Sequence, residues 1–248
     1  AREEPLEIQI AGASLAVVMR TPGHDLDLVR GFLLTERIVA RPDDIATIRH
    51  CTEIADPETE DNIVQVTLRE GVEIDLASLR RNLFASSSCG VCGKATLENA
   101  MATAPPVEDG TRFRADVLYD LPARLRQAQP VFDATGGLHA AGLFTPDGAL
   151  LTVREDIGRH NAVDKVIGHA SRSGPWPLTG RGLFVSGRAS FEVVQKALAA
   201  RIPVVAAVSA PSSLAVELAD AAGIALVGFL RGRGMNVYGA QERVTIAG

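Results

Sequence analysis

Three short stretches near the C-terminus constrain the fold most: Gly182–Ser186, Val204–Val208 and Ala225–Leu230. They are apolar at nearly every position, not at every second one. A strand with that pattern has no solvent face, so it belongs inside a sheet covered on both sides. Ser190–Arg201 and Ser212–Ala222 lie between the runs and have helical spacing, as does Asn161–Ser171 before them. Strand and helix alternating in this way predict an α/β protein, a three-layer α/β/α sandwich. Met235–Tyr238 reads as a short edge strand.

The N-terminal part is richer in strands. Leu6–Ile10 alternates with period two, and Leu15–Met19 follows across Ala11-Gly12-Ala13, which reads as a hairpin. Asp25 is a plausible N-cap for a helix to about Val39, with Leu26, Val29, Leu33 and Arg37 on its buried face. Ile45–Ile54 and Ile63–Leu68 read as strands around an acidic, solvated turn, Asp56–Asp61. Leu76–Phe84 reads as a short helix, and Thr96–Met101 as a helical turn stopped by Pro105-Pro106. Asp116–Gln127 has helical spacing that Pro122 interrupts. Leu138–Phe144 and Leu150–Val153 form strands about the turn Pro146-Asp147-Gly148. No internal repeat is visible. The expected division is a strand-rich N-terminal subdomain (1–84), a mobile segment (85–104) and an α/β/α domain (105–248).

Charge and composition exclude several functions. With 25 basic and 30 acidic side chains the net charge is −5, which argues against a basic face for duplex nucleic acid. Aromatics are 4%, too few for a stacking platform on single strands. Three cysteines make no disulfide framework for 248 residues and fit a reducing compartment. No apolar run reaches the ~18 residues of a membrane span, and the first residues lack the apolar centre of a signal peptide. The expectation is a cytosolic protein with neither nucleic acid nor membrane as partner.

The chemistry-bearing segment is Ala85-Ser86-Ser87-Ser88-Cys89-Gly90-Val91-Cys92-Gly93-Lys94, two thiols in a run of small residues that reads as an exposed or mobile loop. Such a pair serves as half of a zinc site, as a redox dithiol, or as a sulfur-carrying nucleophile. Structural zinc needs about four ligands. The chain adds only Cys51 and scattered histidines, His24, His50, His139, His160 and His169, and Cys51 itself reads as a core residue of a strand. A thioredoxin-type dithiol wants a long helix opening at the first cysteine, which Pro105-Pro106 limits. A sulfur carrier needs one accessible thiolate. At a pKa of ~8.5 only ~3% of a thiol is ionised at pH 7, and Lys94 and the amides of Gly90 and Gly93 are placed to favour the anion.

A second polar concentration is Arg154–Lys165, where eight of twelve residues are polar or charged at the start of a helix that follows a strand. In an α/β sheet ligands bind beyond the carboxyl ends of strands. Arg159 and His160 suit phosphate, and Asp164 or Glu155 suits the N–H donors of a base. Ser186-Gly187-Arg188-Ala189-Ser190 and Ser209-Ala210-Pro211-Ser212-Ser213 repeat the strand-to-helix pattern, each alone reading as an N-cap. Phe229-Leu230-Arg231-Gly232-Arg233-Gly234 adds two arginines between glycines after the last buried strand. His139 reads either as a satisfied core histidine or as a crevice residue. Together these strand ends point to a phosphate-rich small ligand, such as a nucleotide.

These stretches resemble the FdhD family, sulfurtransferases required for active formate dehydrogenase. The matching segments are Glu4-Pro5-Leu6, Gly31–Glu36, Cys89-Gly90-Val91-Cys92-Gly93, Thr135–His139, Arg154–Asn161 and Ser186-Gly187-Arg188, in order over nearly the whole chain. The resemblance implies a cytidine-deaminase-like α/β/α fold. It implies a persulfide on Cys89, with Cys92 as its partner, loaded by a cysteine desulfurase. It further implies transfer of that sulfur to a molybdenum or tungsten bis-molybdopterin guanine dinucleotide cofactor, bound as substrate, with no permanent metal, before insertion into the catalytic subunit of formate dehydrogenase. The cofactor segment carries over loosely to Phe229, Leu230, Arg231, Gly232, Arg233 and Gly234. Arg159, His160, Asp164, Ser186, Gly187, Arg188 and His139 complete the expected binding set, and a homodimer is implied. A zinc deaminase is excluded, because Ser88 stands where its signature has proline and the chain has no His-x-Glu. A cofactor-binding chaperone without sulfur chemistry and a zinc-stabilised nucleotide-binding module are the alternatives.

Overall fold

The N-terminal hairpin pairs β1 (Glu4–Ile10) with β2 (Ala13–Arg20) antiparallel, and β3 (Ile45–His50) and β4 (Ile63–Leu68) complete a four-stranded sheet in the order β2-β1-β4-β3. The computed structural model describes residues 1–51, 61–76, 97, 100–101 and 104–246. Cys89 and Cys92 lie outside the described residues. So do residues 56–60 of the acidic turn and nearly all of the helix expected over Leu76–Phe84.

Helix α1 (Asp25–Thr35) packs on this sheet, and its N-cap position is held by His24 in a left-handed conformation, φ 58°, where Asp25 was expected. Asp25 is instead consumed by Arg20, which is fully buried and donates to it from Nε (3.1 Å) and Nη2 (3.0 Å). Leu26 stays partly exposed, and Arg37 lies past the helix end. The buried face is Leu28, Val29, Phe32 and Leu33, broader than one stripe because α1 is covered on two sides. The strand expected to Ile54 ends at His50. Cys51 follows it, buried, with its N–H on Ile63 O at 2.9 Å.

The larger sheet has six strands in the order β11-β10-β9-β8-β6-β7. They are β6 (His139–Phe144), β7 (Leu150–Asp156), β8 (Gly182–Val185), β9 (Val204–Ala207), β10 (Ala225–Arg231) and β11 (Gly234–Gly239). The all-apolar runs are the central parallel strands β8, β9 and β10, and the rest are antiparallel. Alternate residues reach opposite faces. Leu183, Val185, Val205, Ala207 and Leu226 pack under α4 (Arg159–Ser173), α5 (Phe191–Ala199) and α6 (Ser213–Ala221). Phe184, Val204, Ala206 and Val227 pack on the other face with α2 (Ala115–Gln127). Both faces are therefore covered, at about 1.5–3 kcal/mol for each large side chain fully buried.

Helix α2 continues through Pro122, where an interruption was expected. Leu118, Leu121 and Leu125 are buried on either side of the proline, and that burial offsets the lost backbone hydrogen bond. Sequence periodicity missed two short features. One is helix α3 (Pro130–Thr135). The other is a parallel pair, β5 (Phe113–Arg114) with β12 (Val244–Thr245).

Helices α1 and α4 join the two sheets at a close crossing. A Cβ on Gly31 would lie 1.9 Å from Asp164 O, and one on Gly168 would lie 1.9 Å from Asp27 O, so only glycine permits this approach. Next to the crossing, Lys196 on α5 meets Asp164 on α4 at 2.9 Å and Glu36 at 3.0 Å. The Thr35 hydroxyl donates to Asp164 at 2.7 Å. Among the described residues, no helix is long and apolar enough to cross a membrane.

Candidate functional site

The parallel strands β8, β9 and β10 end on one edge of the sheet, which places Ser186–Arg188, Val208–Ser209 and Phe229 there. Strand β6 runs antiparallel to β8 with Ala141 opposite Val185, and this register brings His139 to the same edge. A Cβ on Gly187 would sit only 3.3 Å from His139 Nδ1. Strand β7 returns antiparallel with Asp156 opposite His139, so the turn into α4, with Arg159 and His160, opens there too. The tip of the β10–β11 hairpin, Gly232-Arg233, completes the edge, and Arg231 Nε donates to Val208 O at 3.1 Å.

Beneath this edge lies a cavity of about 560 Å³. His139, Ser186 and Val208 form its sheet side, and Arg126, Gln129 and Phe132 its helical side. The Arg126 guanidinium stacks 4.6 Å over the Phe132 ring. This helical wall was not foreseen. Its sequence signal was present in the Thr135–His139 string, whose Gly136 takes φ 69° to turn the chain from α3 into β6.

The dense polar string Arg154–Lys165 proves to be largely scaffold. Asp156 is fully buried. It pairs with Lys165 at 2.7 Å and accepts from the N–H groups of Thr21 (3.1 Å) and Gly158 (2.8 Å) and from Asn161 Nδ2 (3.0 Å). Asn161 Nδ2 also donates to Met19 O at 2.7 Å, which ties the turn to the N-terminal hairpin. Glu155 accepts from the N–H groups of Val131 and Phe132 at the start of α3. Asp164 is buried against Lys196 and Thr35, so the structure removes it, with Glu155, from the groups free to meet a base. Leu230 is corrected in the same way: its side chain is fully buried in the core, because β10 extends to Arg231.

Arg159, His160 and Arg188 remain at the edge with His139. Burial lowers the pKa of His139, and the charges of Arg159 and Arg188 lower it further. Burial pushes His160 down to about 4, with Lys196 and Arg159 adding to the effect. The ring is therefore neutral at pH 7, and its Nε2 accepts from Arg159 Nε at 3.3 Å with Ser190 Oγ 3.2 Å away. Ser212, at the start of α6, caps it by accepting from Ala215 N (3.2 Å), whereas Ser186, just past the end of β8, accepts from Ala140 N through its Oγ. Among the described residues no side chain caps helix α4, whose first N–H groups lie at the edge beside Arg159. Phe229 is exposed and left-handed, φ 54°, with its N–H on Ser209 O. The arrangement is one suited to an anion with a flat, partly apolar body.

A family model described as the FdhD/NarQ family matches residues 1–245. This chain belongs to the FdhD/NarQ family. It is 52% identical over 248 residues to the sulfur carrier protein FdhD of Streptomyces avermitilis, covering 98% of this chain and 88% of that protein. It is 53% identical over 249 residues to the sulfur carrier protein FdhD of Mycobacterium tuberculosis, covering 98% and 90%. The fold is shared with a crystal structure, described as a candidate formate dehydrogenase accessory protein from Desulfotalea psychrophila. The TM-score is 0.77 at 23% identity, covering 99% of this chain and 90% of that one.

Proposed function

We propose that this FdhD/NarQ family chain is a sulfur carrier that serves formate dehydrogenase. The observation that carries the reading is identity above 50%, across 98% of the chain, to proteins named sulfur carriers. The chemistry rests on Cys89-Gly90-Val91-Cys92. The Cys89 thiolate attacks the terminal sulfur of a persulfide on a cysteine desulfurase. A Cys89 S–S bond forms, the donor's S–S bond breaks, and the donor cysteine leaves as thiolate. The carried sulfur goes to a molybdenum or tungsten bis-molybdopterin guanine dinucleotide, bound as substrate. Its release as sulfide takes two electrons, which Cys92 supplies by closing a disulfide with Cys89.

The strand edge is the acceptor site in this reading. Arg159, Arg188, Arg231 and Arg233 meet the pyrophosphates, with the uncapped start of α4. Gly187, Gly232 and Gly234 leave room for the backbone to approach. The Phe229 ring offers a face for the base, and His139, Ser186 and the cavity receive the flat heterocycle. His160 aims Arg159. The carrier works as a cytoplasmic homodimer that meets the desulfurase and the formate dehydrogenase catalytic subunit in turn. The test is complementation of a strain lacking its own carrier. Cys89→Ala is expected to abolish formate dehydrogenase activity while the purified variant still binds GDP. Active enzyme from that variant would refute the sulfur role.

A further inference from the structure

A second cavity, of about 190 Å³, lies at the far end of β8 from Ser186, between β7 and the C-terminal half of α4. Thr152, His169 and Arg181 supply its polar lining, and Leu151, Pro175 and Leu178 its apolar wall. No step of the proposed sulfur chemistry uses it. The charge behind it is unbalanced. Asp27 is the carboxylate there, and it is shared by Arg154 Nη2 (3.2 Å), His169 Nδ1 (3.2 Å) and Arg172 Nη1 (3.8 Å). Arg154 Nε is buried with no hydrogen-bond partner among the described residues. Arg181 meets no carboxylate among them either and contacts the Gly180 carbonyl.

His169 is held through one ring nitrogen: Nδ1 lies 2.8 Å from Arg154 Nη2 and 3.2 Å from Asp27 Oδ2. That leaves its other nitrogen, Nε2, outside this contact. The Thr152 hydroxyl accepts from Arg154 Nη1 at 2.9 Å and keeps its own hydrogen to donate. His169, Arg181 and Thr152 thus give an otherwise apolar recess its polar lining.

We propose that this cavity is a binding site for a carboxylate carried on a short branched or aliphatic body, the size of one apolar residue. Arg181 and His169 hold the carboxylate, and Leu151, Pro175 and Leu178 cover the body. Two sources share this chemistry: a free short-chain acid, and the C-terminal residue of a polypeptide. The cavity is far smaller than the one at the strand edge and is too small for a nucleotide.

Binding is read calorimetrically, as a saturable heat of titration. The full chain is titrated with N-acetyl-leucine, 4-methylpentanoate and the uncharged N-acetyl-leucinamide. A saturable change is expected for the acids, with the amide about tenfold weaker or more, the loss of one charge-assisted hydrogen bond. Arg181→Met is expected to weaken the acids by about the same factor while GDP affinity is unchanged. Tighter binding of N-acetyl-leucine than of 4-methylpentanoate assigns the site to a polypeptide terminus, and the reverse order assigns it to a free acid. No saturable change with either acid overturns the proposal. So does an amide that binds as well as the acid, or an Arg181→Met chain with undiminished affinity.

Discussion

Replacing Lys196 with methionine tests whether Asp164 is scaffold. Lys196 is buried between Asp164, Glu36 and Thr35, where α1, α4 and α5 meet. Burial pushes Asp164 up to about 6 even with the ammonium beside it. The Lys196 pKa moves upward, because Asp164 and Glu36 outweigh its own burial. Removing one member of a buried pair costs about 3–5 kcal/mol, a large part of the ~5–15 kcal/mol that holds a domain folded. For a chain of this size that is a fall in Tm of roughly 6–20 °C. The loss has a pH signature. Without Lys196 the folded carboxyl of Asp164 rises above 6, further from its ordinary value of 3.8. A carboxyl raised in the folded state contributes stability at low pH that is lost as pH rises through the folded pKa. The deficit of Lys196→Met relative to the parent therefore grows from pH 5 to pH 8. The double variant Lys196→Met/Asp164→Leu buries no lone charge and recovers most of the loss. Urea unfolding at pH 5, 6.5 and 8 measures all three chains. A single variant within about 1 kcal/mol of the parent at pH 8, a pH-independent deficit, or a double variant no better than the single would show that Asp164 and Lys196 are not a buried structural pair.

Gly168→Ala gains about 1 kcal/mol of helix propensity but drives its Cβ into Asp27 O. A net loss of roughly 3 kcal/mol or more is expected in urea unfolding, and an unchanged midpoint contradicts the helix crossing. Arg188→Ala is expected to weaken GDP about tenfold by calorimetry. It also raises the His139 pKa, because a cation that repels the imidazolium is gone, and a static His139 signal in an NMR titration argues against their proximity. Phe229→Gly relieves a left-handed backbone worth about 1 kcal/mol or more, so stability holds or rises while GDP binding weakens; tighter GDP binding would exclude the ring as a stacking face.

The buried strands were legible because a strand covered on both faces leaves an unbroken apolar run, as in β8, β9 and β10. Their direction and order were not, since periodicity carries no pairing information. Yet it is the parallel register of β8, β9 and β10, with β6 and β7 folded back beside them, that gathers residues from 139 to 234 onto one edge. Asp164 was misread because its neighbours are polar in sequence. Only the packing of α1 and α5 shows that it faces Lys196 and Thr35 in the interior. Leu230 was misread because β10 runs one residue past it before the hairpin turns. In the wall formed by Arg126, Gln129 and Phe132, α3 is six residues long, too short for a periodic signal, and the periodicity of α2 does not show that its last turn, with Arg126, faces the sheet edge. Arg154 and Asp27 are 127 positions apart in sequence, and their pairing follows from the α1–α4 crossing, which no local pattern announces.

The central claim is that Cys89 carries sulfur. The purified chain is incubated with a cysteine desulfurase and cysteine, trapped by alkylation, digested and mapped by mass spectrometry. An added mass of roughly 32 Da, one sulfur atom, is expected on Cys89, and its loss when a thiol acceptor is supplied. A chain that gains no sulfur, or gains it only on Cys51, contradicts the claim.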